Sequence, residues 1–263
     1  WFALPVFAGL PFMFTETRLS FTDAYFETVS GFTTTGSTVI AGLDNLRPGI
    51  LLWRSILQWL GGIGIIVVAI AILPFLRVGG MQIMRTESSD RSDKVLPRAS
   101  QIAGAIAVIY LLLTVACAGA YWFAGMTTRE AVAHAMTTLA TGGYSTSDSS
   151  MGAFGPPSQW VAVVFMLAGA LPFTLMVKTW RSDRRALWKD SQVRAFLLGL
   201  AVVILAMALW LWVDGVYGDF SEALRYVALN IVSVVTTTGY ASTDYQLWSA
   251  AVLPIFLFLM LAG

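Results

Sequence analysis

The chain has 263 residues, of which 57% are hydrophobic and 12% charged, and its formal net charge is +1. Soluble domains carry roughly a quarter of their residues as charges, so this composition excludes an ordinary water-soluble surface and makes lipid the expected solvent. The one cysteine, Cys117, excludes an internal disulfide framework.

In chain order, the apolar stretch 1–14 falls short of the roughly 20 residues that cross a bilayer, and reads as a first helix cut by the start of the sequence. A short amphipathic segment, 22–31, runs into Phe32, Thr33, Thr34, Thr35 and Gly36. Residues 49–76 form the first long apolar run. The connection 77–98 follows, with Arg77, Arg85, Arg91, Lys94 and Arg98. A second run, 102–124, leads to a second short segment, 129–139, which ends at Ala140, Thr141, Gly142 and Gly143. The run 161–177 is followed by Lys178, Arg181, Arg184, Arg185, Lys189 and Arg194, and then by the run 196–213. The third short segment, 221–234, opens on Ser221 and Glu222, a cap followed by a first-turn acid. It ends at Thr236, Thr237, Thr238 and Gly239, ahead of a last apolar run, 247–262. A helix in a large soluble core is also apolar all round, but five such runs in a chain of this size favour transmembrane helices.

The two basic connections hold 11 of the 16 basic residues. The positive-inside rule places both in the cytoplasm. The opposite connections carry Glu16, Asp23, Glu27, Asp44, Glu130, Asp148, Asp214, Asp219, Glu222 and Asp244 against few cations, an acidic outer surface that would concentrate cations. Nucleic-acid or anionic-lipid patches are the other reading of the basic loops; topology explains them more simply.

The chain therefore contains one unit three times: apolar helix, short half-helix, Thr-Gly run, apolar helix. Gly36 and Gly143 are 107 residues apart and Gly143 and Gly239 are 96 apart; aligned on the glycines, Tyr144 matches Tyr240 and Asp148 matches Asp244. The half-helices are too short to span. Irregular backbone at membrane depth is tolerated where it lines an aqueous cavity, and a dehydrated cation there regains ligands from backbone carbonyls. The expected ion path is lined by the carbonyls of Thr34, Thr35 and Gly36, of Thr141, Gly142 and Gly143, and of Thr237, Thr238 and Gly239. The threonine side chains are expected to be scaffold. A lone Thr-Gly pair is more often a helix-packing feature, which is the reading given to Gly61, Gly62 and Gly64.

These stretches, with Trp53-Arg54-Ser55 and Gly61-Gly62-Ile63-Gly64, resemble the TrkH and KtrB potassium-uptake family over nearly the whole chain. The resemblance implies an all-α integral membrane protein whose helix, pore loop, helix units are arranged pseudo-symmetrically around a central ion pore. Four units are implied, of which three are present: 1–76 as a first unit with a truncated first helix, 77–98 as a cytoplasmic basic loop, 99–180 as a second unit and 181–263 as a third. It also implies potassium-preferring transport, a homodimer, a cytosolic nucleotide-binding regulatory subunit of TrkA or KtrA type docking near basic loops such as 182–194, and a multi-pass protein of the inner (plasma) membrane. A gating loop in the third unit is implied too, with Leu261, Ala262 and Gly263 as its approach. The long connection 77–98 leans towards the TrkH branch.

Arg54, a basic residue inside an apolar run, is expected either to snorkel to the interface or to support a pore loop. His134 lacks metal-ligand companions and reads as a polar packing residue, with pH sensing the lesser alternative. Trp122, Trp160 and Trp248 read as an interfacial belt. Pro74, and Pro172 after Gly169, are candidate helix breaks. No nucleophile and base pair, zinc motif or phosphate loop is present, so neither an enzyme nor a cofactor is expected, and potassium is the expected cargo. No nucleic-acid partner is expected. The competing function is a secondary transporter that carries another small solute by alternating access; a structural membrane module with a degenerate pore is a third.

Overall fold

The computed structural model describes residues 2–76, 95–245, 248 and 252–262, with side chains outside 65–76, 95–100, 253 and 261–262. No strand occurs among them; every element is helical.

The short segments are half-helices, as the sequence predicts. They are α3 (Phe21–Phe32), which follows α1 (Ala3–Ala8) and α2 (Leu10–Phe14), α6 (Thr128–Leu139), which follows α4 (Pro48–Leu76) and α5 (Val95–Phe123), and α11 (Phe220–Val235). Each begins on a side chain that satisfies the free N–H groups of its first turn. Ser20 accepts from the Asp23 amide, Thr127 and Glu130 form a reciprocal capping box, and Asp219 accepts from the Ser221 and Glu222 amides. The third cap is thus Asp219, not Ser221: the carboxylate two residues earlier captures the same donors.

Of the five apolar runs, 102–124 lies in the long helix α5 up to its end at Phe123, and 196–213 lies in α10 (Ser191–Val213), which follows α7 (Pro156–Ala170), α8 (Phe173–Arg181) and the short α9 (Ala186–Lys189). Among the described residues, Gln101–Phe123 and Ser191–Val213 are long and apolar enough to cross a membrane by themselves. Residues 49–76 fall within α4, which continues through Pro74. The run 161–177 is not one helix. It breaks between α7 and α8, which meet at 88°, because Pro172 drives Leu171 into extended backbone with ψ 148°. The last run shows as α12 (Val252–Ala262), with 246, 247 and 249–251 outside the described residues. The opening stretch is the pair α1 and α2, joined at Gly9.

The half-helices are the packed centre. Leu139, Val227, Leu229 and Ile231 are buried, whereas Leu111, Val115, Leu198 and Val202 on the long helices are at least half exposed and form the apolar outer face that lipid would cover. Gly61 and Gly62 act as packing residues: a Cβ at Gly61 would fall within 3.0 Å of the Phe32 carbonyl, and one at Gly62 would lie 2.9 Å from the Tyr110 hydroxyl oxygen.

Candidate functional site: three loops in one register

Each half-helix ends in the same backbone motif. Two amides turn back to the helix: Thr34 N–H to Gly31 O and Thr35 N–H to Ser30 O in the first loop; Thr141 to Thr138 and Gly142 to Thr137 in the second; Thr237 to Val234 and Thr238 to Ser233 in the third. This is a Schellman closure, whose left-handed residue is ordinarily glycine. Here it is threonine every time, with φ of 54° at Thr34, 49° at Thr141 and 56° at Thr237. Two residues later Gly36, Gly143 and Gly239 are also left-handed, at 78°, 74° and 89°. A β-branched residue in that region is a true outlier, costing roughly 1–2 kcal/mol each. Backbone strain of this kind persists where the surroundings over-determine it.

The surroundings do so. Successive loops abut head to tail: a Cβ at Gly36 would fall within 3.0 Å of the Gly142 carbonyl, and one at Gly143 within 3.0 Å of the Thr238 carbonyl. Tyr144 reaches back from the second loop to donate its hydroxyl to the Glu27 carbonyl at 3.0 Å. Its counterpart Tyr240 reaches from the third loop to the His134 carbonyl at 3.3 Å and the Thr137 hydroxyl at 2.6 Å. The predicted loops are thereby brought into contact, the first with the second and the second with the third. Below them, Thr34 and Thr141 border a cavity of about 410 Å³, and Thr141 and Thr237 border one of about 460 Å³. Both cavities also touch Gly169 and Pro172, so the α7–α8 break lies directly under the second loop.

Aligned on the loop glycines, Glu27, His134 and Asn230 occupy one position, nine residues upstream, and all are buried. Each ties its half-helix to the chain leaving the loop. Glu27 accepts from the Thr38 hydroxyl at 2.9 Å and the Val39 amide at 3.0 Å; His134 Nε2 is 3.0 Å from the Ser145 hydroxyl; Asn230 Nδ2 donates to the Ser242 hydroxyl at 2.9 Å. The sequence reading missed this trio, although the glycine alignment contains it. It placed Glu27 on the acidic outer surface; Glu27 is instead 0% exposed and paired with Arg54 at 2.8 Å. Arg54, 1% exposed, does not snorkel. Its guanidinium also donates to the Ser145 carbonyl and the Thr38 hydroxyl and lies 4.0 Å from the Tyr144 ring centroid. His134 is a packing residue as read, its Nδ1 2.9 Å from the Glu130 carbonyl.

A further residue missed by sequence is Gln58, whose Nε2 donates to the Gly142 carbonyl at 2.7 Å. Trp122 and Trp160 are exposed at 56% and 39%, as an interfacial belt requires, but Trp248 is 5% exposed and donates to the Tyr217 hydroxyl. Among the described residues no cluster of metal-ligating side chains occurs. Gly263 and residues 77–94, with Arg77, Arg85, Arg91 and Lys94, lie outside the described residues, as do the side chains of Arg98, Leu261 and Ala262.

Half-helices that deliver strained Thr-Gly loops to a shared space define a polytopic pore-loop membrane protein. A family model described as a cation transport protein, TrkH, matches residues 1–263, and the chain belongs to that family. It is 50% identical to the Trk system potassium uptake protein TrkI of Halomonas elongata over 100% of this chain and 54% of that protein. Identity to the Trk system potassium uptake protein TrkH of Escherichia coli K12 is 40%, over 98% of this chain and 53% of that protein. The crystal structure of the potassium transporter TrkH from Vibrio parahaemolyticus superposes with a TM-score of 0.86 at 38% identity, covering 98% of this chain and 53% of that one. The chain thus spans about half the length of the relatives it matches.

Proposed function

We propose that this chain supplies three pore-loop units of a potassium-uptake pore, and that Thr34, Thr35, Gly36, Thr141, Gly142, Gly143, Thr237, Thr238 and Gly239 form its selectivity filter. The carrying observation is the left-handed threonine repeated in one register at the ends of three half-helices. A left-handed residue turns its peptide plane relative to the next, which turns carbonyls that would alternate towards one side, where they replace a cation's hydration shell. Of the nine, Gly142 already has a donor on its carbonyl. The negative ends of the three half-helix dipoles point at the same space and favour a cation there.

The units are 1–76, 99–180 and 181–263, with 77–98 and 182–194 on the cytoplasmic side. An inside-negative potential supplies roughly 2.3 kcal/mol per 100 mV to each inward cation, about fifty-fold accumulation, so uptake requires no nucleotide hydrolysis by this chain. A dimer in the inner membrane with a cytosolic nucleotide-binding regulatory subunit near 182–194 is part of the same reading. The 88° break gives alternating access its one point of support, since broken helices also build carriers.

The test is growth at limiting potassium of uptake-deficient cells expressing the full-length transporter that carries these residues, beside a Gly239→Ser variant at equal membrane level. Rescue that the substitution abolishes or shifts towards sodium supports the filter. Correct insertion without rescue, with the regulatory subunit supplied, refutes potassium uptake.

A further inference from the structure

We propose that Gln58 is a positioning residue for the second filter loop, replacing from a neighbouring helix a hydroxyl clasp that the first and third loops make within themselves. The inference rests on the filter reading above.

In the first loop the hydroxyls of Thr33 and Thr35 are 2.7 Å apart and bridge the strained Thr34. In the third, Thr236 and Thr238 are 2.8 Å apart and bridge Thr237. The clasp joins the residues on either side of the left-handed threonine, so it resists unwinding of that residue. In the second loop the equivalent positions are Ala140 and Gly142, which carry no hydroxyl, yet Thr141 holds the same left-handed conformation at φ 49°.

What occupies the vacant place is the carboxamide of Gln58, 0% exposed on α4. Its Nε2 donates to the Gly142 carbonyl at 2.7 Å and its Oε1 accepts from the Tyr144 amide at 3.0 Å. The two partners fix the amide orientation, because a flip would oppose acceptor to acceptor and donor to donor. The carboxamide also fills the volume a side chain at 142 would need: a Cβ on Gly142 would lie within 3.0 Å of Gln58 Cδ, Oε1 and Nε2. A hydroxyl clasp and Gln58 are therefore mutually exclusive at this loop. The departure from Thr-Thr-Thr-Gly to Ala-Thr-Gly-Gly is the sequence trace of that exchange. It also makes the ring unequal, since a filter carbonyl of the second loop is held by a side-chain donor.

The test uses the full-length transporter with three variants at matched membrane level: Gln58→Met, Gly142→Thr, and the triple Gln58→Ala with Ala140→Thr and Gly142→Thr. The readouts are the ratio of potassium to sodium uptake and the thermal midpoint of the purified protein. Gln58→Met, close in size but without amide atoms, is expected to lower the ratio about fivefold, which is what one lost net hydrogen bond corresponds to. Gly142→Thr alone is expected to lose both uptake and thermal stability through collision with Gln58. The triple variant, with the collision removed and the clasp rebuilt, is expected to recover ratio and midpoint together.

An unchanged ratio in Gln58→Met, or a triple variant no better than Gly142→Thr, overturns the proposal and leaves Gln58 as packing. The thermal comparison separates this outcome from failure of the uptake reading: the exclusion between positions 58 and 142 shows in the midpoint whichever ion the pore carries.

Discussion

Replacing Glu27 by Gln keeps the shape of the side chain and removes its charge, leaving the Arg54 guanidinium buried without a counter-ion. The pair is 2.8 Å apart, at 0% and 1% side-chain exposure. At an effective dielectric of 20 its Coulomb attraction is about 6 kcal/mol, most of which offsets the cost of taking both ions out of water. Removing one partner forfeits the attraction and retains the Arg54 desolvation cost, which places the loss at roughly 3–5 kcal/mol. For a chain of this size that corresponds to a fall in midpoint of roughly 6–20 °C, read by tryptophan fluorescence during thermal unfolding in detergent. A double variant, Glu27→Gln with Arg54→Met, removes both charges and is expected to recover most of the loss. The exposed pair Arg47–Glu16, with side chains 83% and 28% exposed, is the internal control: Glu16→Gln is expected to cost under about 1 kcal/mol and to be salt-sensitive. A shift below 2 °C for Glu27→Gln, or a double variant as damaged as the single, refutes the view that burial makes this pair obligatory.

Alanine at Gly36 or Gly143 meets both a left-handed backbone and a neighbouring carbonyl, so folded yield should collapse; at Gly239, which meets nothing within 4 Å among the described residues, this chain should lose only about 1–2 kcal/mol, measured as thermal midpoint. Thr141→Gly relieves the left-handed strain and adds unfolded-state entropy, for a net gain in stability between about 0 and 1 kcal/mol, but it frees the loop, so the ratio of potassium to sodium uptake should fall while stability holds or rises; a loss of stability would show the threonine to be simple packing. The Ser221 hydroxyl and the first-turn amides hold the Asp219 carboxyl below its ordinary value of 3.8. A depressed carboxyl contributes stability above its unfolded pKa and loses it as pH falls through the folded one. The start of α11 should therefore loosen below about pH 4 in hydrogen exchange, and Asp219→Asn should abolish that dependence while keeping the cap.

The half-helices were legible because their ends carry local chemistry. Ser20, Thr127 and Asp219 stand before apolar segments, and each helix stops where Thr or Ala gives way to the left-handed pair. The break at Leu171 was legible through Pro172 alone, named as a candidate break together with Pro74, through which α4 continues; the hydropathy of the run 161–177 carries no direction. Glu27 was misread because its partner lies 27 positions away, and an acid counted without its partner reads as solvent-facing. Gln58 left no sign in its own helix: its contacts reach 84 and 86 positions along the chain, and only the missing hydroxyls of the second loop betray it.

The loop contacts are heterologous: a glycine face on one unit receives a carbonyl from the next, and a tyrosine from the next returns to the half-helix behind it. Heterologous contacts of this kind build rings when the rotation closes. The third unit presents the receiving side of such a contact with nothing upon it among the described residues. Gly239 has open space, and the Ser233 hydroxyl, equivalent to the Thr137 hydroxyl that meets Tyr240, is buried without a hydrogen-bond partner among the described residues. Any surface that closed a ring against this edge would have to bring a carbonyl to the first and a hydrogen-bonding tip to the second.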